Sequence, residues 1–129
     1  FNQPVDSTFN QPLSFDTSSV TTMDGMFHFA TAFNQPLAFD VSSVNDMFRM
    51  FMAAGAFNLP LDFDVSSVTN MGESFRNAGS FNKPLAFDTA RVTNMISMFY
   101  NANAFNQPLD SWDVGAAQST YVRRRPPPA

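Results

Sequence analysis

Residues 33–56 read Phe33-Asn34-Gln35-Pro36-Leu37-Ala38-Phe39-Asp40-Val41-Ser42-Ser43-Val44-Asn45-Asp46-Met47-Phe48-Arg49-Met50-Phe51-Met52-Ala53-Ala54-Gly55-Ala56, and the flanking chain repeats this string with changes. Phe-Asn-x-Pro-Leu starts at Phe9, Phe33, Phe57, Phe81 and Phe105, a constant step of 24 residues. A fixed step of that length is the signature of stacked repeats. A variant, Phe1-Asn2-Gln3-Pro4-Val5, begins only eight residues before Phe9, so the first unit is truncated. Counting each leading Phe as offset 0, further columns appear: Phe39 and its equivalents at offset 6, Asp40 at 7, Val44 at 11, Met47 at 14, Phe51 at 18 and Ala54 at 21. Fourteen of the 16 Phe and seven of the 8 Met fall in such columns, so the unusual composition belongs to one unit copied.

Within a unit the apolar period changes. Offsets 14, 17, 18 and 21, as in Met95, Met98, Phe99 and Ala102, follow the i, i+3, i+4, i+7 spacing of one helix face and predict a two-turn helix. Thr69-Asn70, Thr93-Asn94 and Asn45-Asp46 stand before it as capping residues, and Gly55, Gly79 and Asn103 stand after it as terminators. Leu37-Ala38-Phe39 alternates across one outward residue and predicts a three-residue strand, with Pro36 marking its start. Asp-x-Ser-Ser then reads as a turn. Neither a two-turn helix nor so short a strand is stable alone, so like columns must stack on one another. The expected fold class is an α/β repeat, one short parallel strand and one short helix per 24-residue coil.

The full motif, F-N-Q-P-L-x-F-D-V-S-S-V-T-N-M-x-x-M-F-x-x-A, resembles the repeat of the BspA-like leucine-rich-repeat surface proteins, also described as the mycoplasma lipoprotein-associated repeat. Phe105-Asn106-Gln107-Pro108-Leu109-Asp110-Ser111-Trp112-Asp113-Val114 is nearest to that family's F-N-Q-P-L-x-x-W-D-V segment. The likeness spans residues 1–114 and implies a right-handed, leucine-rich-repeat-like solenoid on a secreted or surface-anchored protein, with adhesion and protein binding as its role. It supplies no catalytic residues. The resulting division is a truncated repeat at 1–8, four full repeats (9–32, 33–56, 57–80 and 81–104) with a partial fifth to residue 114, and a divergent Arg/Pro-rich tail at 115–129.

Composition narrows the chemistry. There is no cysteine and one histidine, His28, which argues against thiol chemistry, catalytic triads and His-rich metal centres. Residues 1–120 carry all 11 acids against four of the seven bases, a balance of −7 that does not suit a nucleic-acid binder. No apolar run reaches the roughly 18 residues of a membrane-spanning helix. The expectation is a non-enzymatic chain without cofactors.

The column Asp16, Asp40, Asp64 and Asp88 is a weak candidate for a hard cation; the structural reading is that each carboxylate serves its own turn. The Asn10, Asn34, Asn58, Asn82 and Asn106 column reads as a ladder between coils. Ser74, which replaces Met at offset 17 of its unit, reads either as a packing defect or as an accommodation of its neighbours. Candidate partner contacts are positions that vary while the scaffold stays fixed: Ser14, Ala38, Asp62 and Ala86 at offset 5, and Phe48 and Ile96 on the outer side of the expected helix. In the tail, Arg123, Arg124 and Arg125 precede three prolines, which favours an extended linker or a docking segment. The chain opens mid-unit at Phe1, so the expectation is either a piece of a longer protein or a first coil covered by a protein partner. Two functional readings follow: an adhesion module displaying its variable residues, or an architectural subunit docked within a larger, membrane-associated assembly.

Overall fold

The backbone hydrogen bonds gather where the sequence pattern predicts a helix, but they do not make one. The structure, a computed structural model, describes residues 4–117. Among those residues there is no helix and no extended strand; regular pairing is limited to the parallel bridges Thr22↔Asp46, Asp46↔Asn70 and Asn70↔Asn94. The expected α/β coil, with one helix and one strand per repeat, is therefore corrected.

In the second repeat, residues 47–50 and 51–54 form two successive turns. They are closed by Met50 N–H to Met47 C=O at 3.2 Å and Ala54 N–H to Phe51 C=O at 3.0 Å. The third residue of each turn is left-handed, Arg49 at φ 55° and Ala53 at φ 59°. The other repeats match: Gly25 and Phe29, Glu73 and Asn77, Ser97 and Asn101 all have positive φ. Turning twice in this way frees every second amide for the neighbouring coil. Met47, Arg49, Phe51 and Ala53 donate to the carbonyls of Asn70, Gly72, Ser74 and Arg76 at 2.9, 3.0, 2.8 and 2.7 Å.

The helical spacing misled for a physical reason. Side chains four positions apart also point the same way in consecutive four-residue turns, so offsets 14, 17, 18 and 21 reach the core by either route. A two-turn helix would leave most of its terminal amides and carbonyls unsatisfied, whereas the turns give theirs to the next coil. The residues expected to cap the helix keep a capping role on the turn: Asp46, Asn70 and Asn94 each accept, through Oδ1, the amide two residues on at 3.0–3.1 Å. The expected terminators Gly55, Gly79 and Asn103 are not left-handed.

The predicted strand fails differently. Its alternation is real: Leu37 and Phe39 are buried and Ala38 is exposed, as are their equivalents in the next two repeats. Yet no backbone hydrogen bond joins residues 37–39 to residues 61–63; the parallel ladder sits at offset 13 instead. Proline one residue before the stretch has no amide to give, and side chains hold this edge, by packing and, at Leu85, through the Trp112 indole N–H.

The core is built from stacked rings. Phe27, Phe51, Phe75 and Phe99 lie 5.3, 5.4 and 5.5 Å apart, and Phe9, Phe33, Phe57, Phe81 and Phe105 about 6 Å apart, nearly parallel throughout. Where one repeat runs into the next the two columns meet at 4.0–4.5 Å, as at Phe27 and Phe33. Met23, Met47, Met71 and Met95 fill the space beside them and are all buried. An asparagine ladder ties the corners: the amides of Asn34, Asn58, Asn82 and Asn106 donate to the Oδ1 of the preceding column member at 2.9–3.0 Å. Ser74 is buried, its hydroxyl 2.7 Å from Met71 C=O and 2.9 Å from Met47 C=O, so the substitution accommodates its neighbours and leaves no unpaired polar group.

The partial units pack on the full coils beside them. Val5 N–H donates to Met26 C=O at 3.1 Å, and Ala32 N–H to Ser7 C=O at 3.1 Å, so the truncated unit lies on the first full coil. At the other end the inserted Ser111 moves the aromatic one position along. Trp112 stacks on Phe87 at 6.1 Å, and its indole N–H donates to Leu85 C=O at 3.0 Å.

Candidate interaction face

Inward residues of the paired turns repeat apart from Ser74, and outward ones vary apart from Asn77 and Asn101. Offsets 15, 16, 19 and 20 carry Asp24, Gly25, His28 and Phe29 in the first coil, and Phe48, Arg49, Met52 and Ala53 in the second. The third has Gly72, Glu73, Arg76 and Asn77, and the fourth Ile96, Ser97, Tyr100 and Asn101. All but Gly72 are at least partly exposed. Turn geometry sends these side chains outward because their neighbours at 14, 17, 18 and 21 fill the core.

The face is pre-organised. Arg49 lays its guanidinium 4.7 Å above the Phe48 ring and reaches Asp24 on the adjacent coil at 3.4 Å. Arg76 does the same over Tyr100 at 4.7 Å and pairs with Glu73. In both arginines the Nε is buried without a hydrogen-bond partner, which leaves the forks to be oriented by ring contact and carboxylate. Partly exposed ion pairs of this kind contribute at most about 1 kcal/mol, so their effect is chiefly to fix side-chain positions. His28 sits edge-on to Phe29 at 4.2 Å. Burial, and then the nearby Arg49 charge, hold its imidazole below the ordinary histidine value, with Asp24 opposing them.

Phe29 is the outlier of the face. Its side chain is 52% exposed and its backbone is left-handed at φ 58°. Ala53, Asn77 and Asn101 occupy the equivalent positions and are left-handed too, so the fold imposes the conformation but not an exposed phenylalanine in it. Phe29 and Phe48 are the only Phe outside the repeat columns, yet only Phe48 is among the sequence candidates. Phe48 is half-buried: its Cδ1 would stand 3.1 Å from a β-carbon at position 72, so its ring closes over Gly72. Ile96, two coils further on, is 44% exposed.

The structure separates the sequence candidates. Ser14, Ala38, Asp62 and Ala86 form an exposed row along the edge that lacks the ladder, apart from Phe48 and Ile96. Asp16, Asp40, Asp64 and Asp88 each accept, at 2.9–3.2 Å, the amide two residues on, and Asp113 does so at 2.8 Å. Ser42 and Ser66 hydroxyls, and next their amides, hold Asp40 and Asp64 below the ordinary carboxylate value; at Asp16 the Ser18 amide leads. Among the described residues no three His, Cys, Asp or Glu side chains come together as a metal site. Arg123, Arg124 and Arg125 lie outside the described residues. No helix among the described residues is long and apolar enough to cross a membrane.

No curated protein and no solved structure matches the chain. A family model does, twice and in overlapping spans, over residues 2–62 and 38–122. Those spans cover most of the 24-residue repeats and the coil stack they build, and the chain belongs to this family, described as "Mycoplasma protein of unknown function, DUF285".

Proposed function

We propose that the chain is a non-enzymatic protein-interaction module of a surface or secreted repeat protein, and that it binds through the outward residues of its paired turns. One observation carries the reading. Sequence variation concentrates on a face whose arginines are already oriented and whose Phe29 is held exposed in a left-handed turn. Arginine and aromatic residues dominate the binding energy of protein interfaces, and orienting them beforehand lowers the entropy cost of association. The resemblance to BspA-like surface repeats supports an adhesive role and an extracellular location.

The test is bead adhesion to a cultured cell layer. Beads coated with the chain are compared with beads coated with a variant carrying Phe29→Asn, Arg49→Glu and Ile96→Ser. A drop of about tenfold or more in retained beads supports the reading, since truncating hot-spot residues costs about 2 kcal/mol or more each. Equal retention, with circular dichroism showing both proteins folded, overturns it.

A further inference from the structure

We draw no further inference here: the strongest candidate, the exposed row of carboxylates Asp16, Asp40, Asp64, Asp88 and Asp113 along one edge of the stack, carries nothing because each already accepts the amide of its own turn and no second feature beside the row points to a ligand.

Discussion

Phe27 and Phe29 are two positions apart and show how little residue type says without its offset. Phe27 is fully buried between the Phe33 and Phe51 rings at 4.4 and 5.3 Å. Truncating such a residue to alanine costs about 3–5 kcal/mol, so Phe27→Ala should lower the melting temperature by more than about 10 °C, measured by circular dichroism. Phe29→Asn should behave otherwise. Half of the ring's burial is lost, on the order of 1 kcal/mol, but an asparagine tolerates the left-handed conformation, which costs other residues about 1–2 kcal/mol. The melting temperature should move by less than about 4 °C. A fall as large as that of Phe27→Ala would mean that Phe29 is a core residue and not a contact.

The carboxylate turns make a prediction at the same scale. Asp16, Asp40 and Asp64 are held below the ordinary value of 3.8 by the hydrogen bonds of their folded turns. Their contribution to stability is therefore complete above 3.8 and is lost as pH falls through the lower, folded values. Replacing all three by Asn, which can still accept the turn amide, should flatten the acid limb of a urea-midpoint against pH curve and leave the neutral plateau in place. An unchanged acid limb would show that these aspartates do not govern acid unfolding.

At the level of the element, the repeat length, the core columns and the asparagine ladder are legible from the sequence because identity at a fixed step leaves little alternative to stacking. The local backbone is not. Met47, Met50, Phe51 and Ala54 have the spacing of a helix face, and a pair of turns satisfies it equally. What separates the two is the direction of the amides of Met47, Arg49, Phe51 and Ala53, which side-chain periodicity does not report. Phe29 escaped for a related reason: its exposure depends on the left-handed turn that the helical reading left out. Ala53 distinguishes the two backbones by sign. In a helix interior Ala→Gly costs about 1 kcal/mol. At φ 59° the β-carbon is the strained group, so Ala53→Gly should leave stability unchanged or raise it by a few tenths of a kcal/mol or more. A urea midpoint lowered by about 1 kcal/mol equivalent would restore the helix.

For the whole molecule, every coil must end where the next can lie on it, so length matters before composition does. Removing residues 33–56 rejoins Ala32 to Phe57 in register and sets Asp24 beside Gly72, which has no side chain to meet it. Removing 57–80 is equally in register but sets Phe48 against Ile96 in place of Gly72. The Phe48 ring already lies 3.1 Å from where a β-carbon at 72 would be, so the larger side chain must displace it and strip Arg49 of its platform. Overpacking of this kind costs about 1–3 kcal/mol. Both shortened chains should melt cooperatively below the full chain, since each has lost one coil–coil interface, and the one lacking 57–80 should melt several degrees lower. Removing 33–55 instead leaves Ala56 as one extra residue at the junction, which the stack loops out as it does Ser111 before Trp112, so that chain should still melt cooperatively, a few degrees below the one lacking 33–56. If the chains lacking 33–56 and 57–80 melted identically, Phe48 and position 72 would not be neighbours and the stacking register itself would be wrong.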